Sequence, residues 1–221
     1  MSLPEDHSRL FKRAYSLAEL LADGIIHVVA IVAGLLAYAV LLAKVIAGGN
    51  SWVFLAMAIY AAGFFLMFGF SLAYNMTPAS PLKWMLRRFD HAAIFVMIAG
   101  TYTALLSAAG LTGWMPWLLA FVWIGAAGGV GLKVLLPGRL DRFSILFFLV
   151  LGWSGVFALA PLAQRLPVSA LTLLVAGGLT YVAGLAFYLW ENLRFQNAIW
   201  HSFVAAASAL QFAAVALALN A

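Results

Sequence analysis

The stretch NAIWH at 197–201 sets an amide and an imidazole four residues apart, at the head of a run that is otherwise apolar or small. Four residues is close to one helical turn, so Asn197 and His201 share a face if the run is helical. The spacing recurs. Glu19, Asp23 and His27 follow one another at intervals of four, and Ser71 and Asn75 are also four apart. Asp90 stands in the block RRFDHAAI at 87–94, with His91 beside it. Carboxylate, imidazole and amide groups are the donors from which cation sites are built. A zinc centre that activates water takes about three protein donors and leaves one position open.

Those residues sit in a chain of 221 residues that is 66% hydrophobic and 9% charged, with a mean hydropathy of +1.06. A soluble domain is about half apolar and a quarter charged, so the composition is that of an integral membrane protein. The absence of cysteine excludes disulfides, thiolate ligands and a cysteine nucleophile. An isoelectric point near 9.7 would suggest nucleic acid in a soluble protein; in a membrane chain, basic residues report orientation first. The N-terminus carries two acids and a proline before any long apolar run, unlike a cleaved signal peptide. The run from Gly24 to Ala43 is long enough to span and reads as a retained helix.

Breaks at charges, Gly/Asn and Pro divide the chain into seven apolar segments, at 17–46, 51–76, 90–109, 113–135, 142–161, 169–190 and 197–219. Residues 1–16 are left as a short N-terminal segment. The expected fold is an all-α, seven-transmembrane-helix bundle, since barrel strands would alternate with period two. Basic residues set its direction. Arg9, Lys12, Arg13, Lys83, Arg87, Arg88, Lys133, Arg139, Arg142 and Arg194 fall on one side, against Lys44 and Arg165 on the other. That places the N-terminus in the cytoplasm and the C-terminus outside. Trp84 and Trp190 then lie near the inner ends, and Trp52, Trp114 and Trp117 near the outer ends.

With this direction, the polar residues of helices 1, 2, 3 and 7 all fall in the inner third of the bundle. Each has a structural explanation on its own. Ser16 and Glu19 form a capping-box pattern, and Asp23 and Asp90 suit helix N-termini. Ser71, Asn75, Ser208 and Gln211 can hydrogen-bond between helices; His91 can sit in the interface beside the basic cluster. Convergence is what these explanations leave out. An ionisable group at bilayer depth costs about 2.5–3.5 kcal/mol, and four helices bring polar groups to one level. A shared polar site accounts for all of them. The small-residue patches at Gly125–Gly129, Gly177–Gly178, Gly184 and Ala205–Ala207 read as points of close helix approach.

In order along the chain come YSLAELLADGIIH (15–27), SLAYN (71–75), FDHAAIFVMIAGTYT (89–103), GGLTYVAGLAFY (177–188) and NAIWH (197–201). The whole resembles the bacterial hemolysin III branch of the progestin and adipoQ receptor family, over nearly its full length. The resemblance implies a multi-pass protein of the bacterial inner membrane with a zinc site near the cytoplasmic face. One ligand in the family is the histidine of S-x-x-x-H ending helix 2, and two more are those of H-x-x-x-H opening helix 7. An aspartate at the start of helix 3 helps hold a metal-bound water.

Ser71 and Asp90 match that pattern, and His201 is the one retained ligand histidine. Asn75 and Asn197 occupy the other two ligand positions. Asp23 replaces the usual asparagine of the N-terminal motif, and Gln211 a further histidine of helix 7. Amide oxygens are weak zinc donors. The resemblance therefore implies a degenerate zinc site, with zinc possible but no cofactor expected. Ser71, Asn75, Asp90, Asn197, His201, Asp23 and His27 would form a polar, ligand-binding cluster. The function expected is membrane lipid or energetics homeostasis, with weak or no hydrolysis. The alternative is a metal-dependent lipid amide hydrolase, ceramidase-like, in which carboxylates replace the missing histidines, Asp90 orients the water and Ser71 supports it. A proton or ion pathway ranks below both, because the outer halves of the spans lack acids. Membrane lipids are the expected partners; nucleic acid is not, and a homo-oligomer is left open.

Overall fold

The computed structural model describes residues 15–136 and 141–220. Arg9, Lys12, Arg13, Arg139 and most of the 1–16 segment lie outside them, as do the side chains of Asp141 and Arg142. The elements in order are α1 (Leu17–Ala47), α2 (Ser51–Met76), α3 (Pro81–Ala108), α4 (Met115–Leu135), α5 (Asp141–Trp153), a 3-10 turn (Ser154–Ala158), α6 (Leu159–Ala163), α7 (Val168–Leu189) and α8 (Gln196–Ala218). Counting α5 through α6 as one broken span, seven segments among the described residues are long and apolar enough to cross a bilayer.

Local chemistry sets the ends that matter for the polar cluster. At the start of α1, Ser16 and Glu19 form a reciprocal capping box. Asn50 caps α2 by accepting from the N–H groups of Trp52 and Val53. Ser80 caps α3, with Pro81 in its first turn.

The third helix therefore starts nine residues before the expected Asp90. Lys83, Arg87 and Arg88 lie on its first turns and not in a loop, and Asp90 is interior to the helix and not its N-cap. The run of charge hid a sound start signal at Ser80-Pro81. Lys83 gains a structural role from this, donating to the carbonyls of Tyr74 (3.0 Å) and Thr77 (2.8 Å) at the end of α2. Asp23, in the second turn of α1, is likewise no cap.

The fifth span is also not the single helix expected. Tyr102 of α3 inserts its hydroxyl into the ladder, accepting from the Gly155 N–H (2.5 Å) and donating to the Gly152 carbonyl (2.8 Å). A side chain that competes for backbone groups breaks a helix at that point, and the 3-10 turn follows.

Helices α2 and α3 pack along their length, as do α7 and α8, while α1 lies against both α2 and α8. Lipid-facing α1 keeps one stripe inside: Glu19, Asp23, His27, Gly34, Tyr38, Leu41 and Val45. The core centres on Tyr38, Tyr60, Phe64, Phe68 and Phe95. The small-residue patches serve this internal packing. A Cβ on Gly129 would lie 2.4 Å from the Phe95 ring, and one on Gly184 would lie 2.6 Å from Phe203.

A close backbone approach between α2 and α3 rests on Gly63 and Gly100, which belong to none of the small-residue patches above. A Cβ on Gly100 would meet Tyr60 Cα at 3.2 Å and the Ile59 carbonyl at 3.3 Å. The neighbour is backbone and has no rotamer to change, so a larger residue must part the helices. Gly100→Val is expected to destabilise by about 1–3 kcal/mol, the usual cost of overpacking. The readout is thermal unfolding in detergent, and an unchanged Tm would mean that this contact carries no packing constraint.

Candidate metal centre

The polar residues meet at the end of the bundle where α1, α3 and α8 begin and α2 finishes. His201 Nδ1 lies 2.5 Å from Asp23 Oδ1, joining α8 to α1. A carboxylate only accepts, so that nitrogen carries the proton. On its other side, His201 Nε2 is 3.3 Å from the Ser71 hydroxyl of α2. His27 packs edge-on against His201, with ring centroids 4.3 Å apart. Its Nδ1 donates to the Asp23 main-chain carbonyl at 2.8 Å, which leaves the lone pair of the neutral ring on Nε2.

Every strong donor in this group is thus already committed, and two acceptors remain. Asp23 Oδ2 and His27 Nε2 are buried with no hydrogen-bond partner. Asp23 is 2% exposed and His27 0%. A buried polar atom left without a partner costs about 1–3 kcal/mol, and more for a charged one. The two side chains lie one turn apart on α1, and two buried lone pairs without a partner suit the ligand set of a cation.

Asp23, His27 and His201 each offer an atom within 4.8 Å of the others, so the group can hold a metal ion. One carboxylate with two imidazoles is a known donor set for catalytic zinc. Ligand atoms around a tetrahedral zinc sit roughly 3.3 Å apart at bonds of about 2.0–2.1 Å, within the span of this group.

The ligand positions implied by the resemblance are occupied differently. Asn197 Nδ2 donates to Asn75 Oδ1 at 3.3 Å, and Tyr15 donates to Asn197 Oδ1 at 3.3 Å. Asn75 Nδ2 in turn donates to the Ser71 carbonyl at 2.9 Å and its hydroxyl at 3.3 Å. Both amide oxygens are engaged, and neutral amides suit zinc poorly in any case. Asn75 and Asn197 are bonded to each other, and Ser71 links Asn75 with His201. The fit lies one helix over, at Asp23, His27 and His201.

Asp90 completes the cluster, close enough to feel the His201 imidazole, the Ser71 hydroxyl, the Arg87 guanidinium and the Asp23 carboxylate. Away from the bundle's end, the His27 ring meets Phe68 edge-on at 6.0 Å, and Phe68 stacks toward Phe64. Farther along α8, Ser208 is hydrogen-bonded with Tyr181 of α7 at 2.8 Å. Gln211, higher on the face of α8 that carries His201, packs beside Gly177 of α7.

Two contributors were not read as such in the sequence. Tyr15 lies just ahead of the first helix and gave no signal beyond its place in the quoted motif. Glu19 was read as half of a capping box, yet its second oxygen accepts from the Phe195 N–H at 3.0 Å. His27 was placed in the polar cluster but not among metal ligands; its four-residue spacing from Asp23 was the signal available.

Comparison with known proteins agrees with the seven apolar helices. Residues 17–212 match the family model described as haemolysin-III related. The chain is 34% identical to hemolysin-3 of Bacillus cereus over 196 residues, covering 88% of this chain and 89% of that protein. It is 32% identical to the hemolysin-3 homolog of Bacillus subtilis (strain 168) over 200 residues, covering 90% and 93%. More distantly, it is 27% identical to the human monocyte to macrophage differentiation factor over 174 residues, covering 75% and 71%. Helices and relatives alike are those of a multi-pass integral membrane protein, consistent with the bacterial plasma membrane. The chain belongs to the haemolysin-III related family.

Proposed function

We propose that this protein acts in membrane lipid homeostasis through a cation centre formed by Asp23, His27 and His201. The observation that carries the reading is the pair of buried, unpartnered acceptors, Asp23 Oδ2 and His27 Nε2, on side chains that with His201 form a group able to hold a metal ion. The centre lies at the end that the ten-to-two distribution of basic residues assigns to the cytoplasm. The ligand would be the polar part of an inner-leaflet lipid.

One further observation favours a second reading, hydrolysis of a lipid amide. Asp90 and Ser71 stand beside the triad, Ser71 through its 3.3 Å contact with His201 and Asp90 within electrostatic reach of His201, Ser71 and Asp23. Zinc bound there would supply Lewis acidity and an acidified water. Asp90 would take the proton of the attacking water, and Ser71 would fix the carboxylate through its hydroxyl.

The test is elemental analysis of protein purified with neither added metal nor chelator, beside His201→Ala. About one transition-metal ion per chain, lost in the variant, is the expected result. Substoichiometric metal that His201→Ala does not change would sink the cation centre. Release of fatty acid from a lipid amide in vesicles, blocked by chelation and by Asp90→Asn, would place hydrolysis first.

A further inference from the structure

The three candidate ligands ride on two helices, Asp23 and His27 on α1 and His201 on α8. Their geometry depends on what fixes the start of α8 against the start of α1. That start is unusual. The residue ahead of α8 is Phe195, with φ 59° in the left-handed region, and it makes no side-chain cap. An L-residue with a Cβ is strained there, and a large side chain is a poor occupant. Something must hold it.

Glu19 does so from the neighbouring helix. Its Oε1 accepts from the Phe195 N–H at 3.0 Å, and its Oε2 accepts from the Ser16 N–H at 3.0 Å and the Ser16 hydroxyl at 2.9 Å. Glu19 is 7% exposed, so these are charge-assisted bonds with little competition from water. The carboxylate also lies at the positive end of the α8 dipole. One side chain therefore caps its own helix and, in trans, the helix that brings in His201. Asp23 follows Glu19 by one turn on the same buried stripe.

We infer that Glu19 is the positioning residue of the Asp23–His27–His201 centre, a clamp that sets the distance between the α1 ligands and the α8 ligand. The inference rests on the cation reading above for its purpose, while the clamp itself is testable without metal.

The experiment uses the full-length protein in detergent, with Glu19→Ala, Glu19→Gln and Ser16→Ala as variants. Ser16→Ala removes the capping partner and leaves the bond to Phe195. Two readouts are taken: hydrogen exchange of the peptide carrying Phe195, in metal-free protein, and Co²⁺ affinity from the visible spectrum. Glu19→Ala is expected to speed exchange at Phe195 and to weaken Co²⁺ binding about 10–100-fold, the range for groups that orient ligands. Glu19→Gln should fall between it and wild type, and it covers the case in which Glu19→Ala does not fold. Ser16→Ala should move neither readout.

Unchanged exchange in the Glu19 variants would overturn the clamp. Faster exchange with unchanged Co²⁺ affinity would overturn its positioning role. A Ser16→Ala effect equal to that of Glu19→Ala would reduce Glu19 to an ordinary cap. If wild-type protein bound no Co²⁺, the cation reading would fall, and the clamp would stand or fall on exchange alone.

Discussion

Asp23→Asn is expected to abolish tight cation binding while leaving the metal-free protein as stable as wild type, or more so. The substitution changes almost no volume and keeps an oxygen to accept from His201 Nδ1, now 2.5 Å from Asp23 Oδ1. What it removes is the one negative charge among the three ligands. It also replaces the lone pairs of the unpartnered Oδ2 with an N–H donor. A cation loses its charged ligand and meets a proton instead. Affinity should fall at least ~100-fold, about 2.7 kcal/mol at 1.36 kcal/mol per decade.

The stability arm runs the other way, and the opposition makes the test specific. A buried carboxylate oxygen without a partner is destabilising, so removing it relieves the metal-free fold. Wild type should gain stability with metal, by about 2.7 kcal/mol at a hundredfold excess over Kd, and Asp23→Asn should gain none. The measurement is Tm with zinc and with chelator for both proteins. A lower metal-free Tm in the variant, with no metal response in wild type, would show Asp23 to be a plain structural partner of His201.

The membrane class and the helices were legible because bilayer thickness converts directly into run length. α1 and α2 were read to within a residue or two for that reason, helped by the capping box at Ser16. α3 was misplaced at its start because charge was taken to mean loop. Lys83, Arg87 and Arg88 sit instead on helical turns at the bundle's end, where a long side chain can reach polar surroundings. The break in the fifth span was not legible at all. It is made by Tyr102, some 50 residues away in sequence, and no local pattern at Ser154 announces it.

The centre was half legible. Spacing of four marked Asp23 with His27, Ser71 with Asn75, and Asn197 with His201, and all of these arrive in one cluster. Spacing could not say which donors would be left free. That follows from tautomers and partners, such as the Asp23 carbonyl that takes the Nδ1 proton of His27. Nor could it show that Asn75 and Asn197 would turn to each other and close their amides off. The close glycines of α2 and α3 went unread for a related reason, since Gly63 and Gly100 are matched only across the helix interface.

The pairing of Asn75 with Asn197 leads to the second large effect. Their side chains are 3.3 Å apart, and Ser71, one turn from Asn75, is 3.3 Å from His201. Positions 75, 197 and 201 therefore already converge. Replacing two neutral amides by imidazoles, as Asn75→His with Asn197→His, would give His201 the two partners that the family pattern provides. Three imidazoles make a complete zinc set with one position open. Zinc affinity should rise about 10–100-fold or more over wild type, since two first ligands weigh more than an orienting group.

The new set does not use Asp23. Adding Asp23→Asn to the double variant should therefore leave zinc bound, although the same change empties the wild-type protein. That contrast separates two sites on one scaffold, and isothermal titration of the four proteins against zinc reads it directly. If the double variant bound no more tightly than wild type, the loss of histidine at 75 and 197 would not be what sets cation affinity here. If the triple variant lost zinc, Asp23 would have to serve both sets. The centre would then be a single one, with His201 at its middle and the helix 1 carboxylate essential to it.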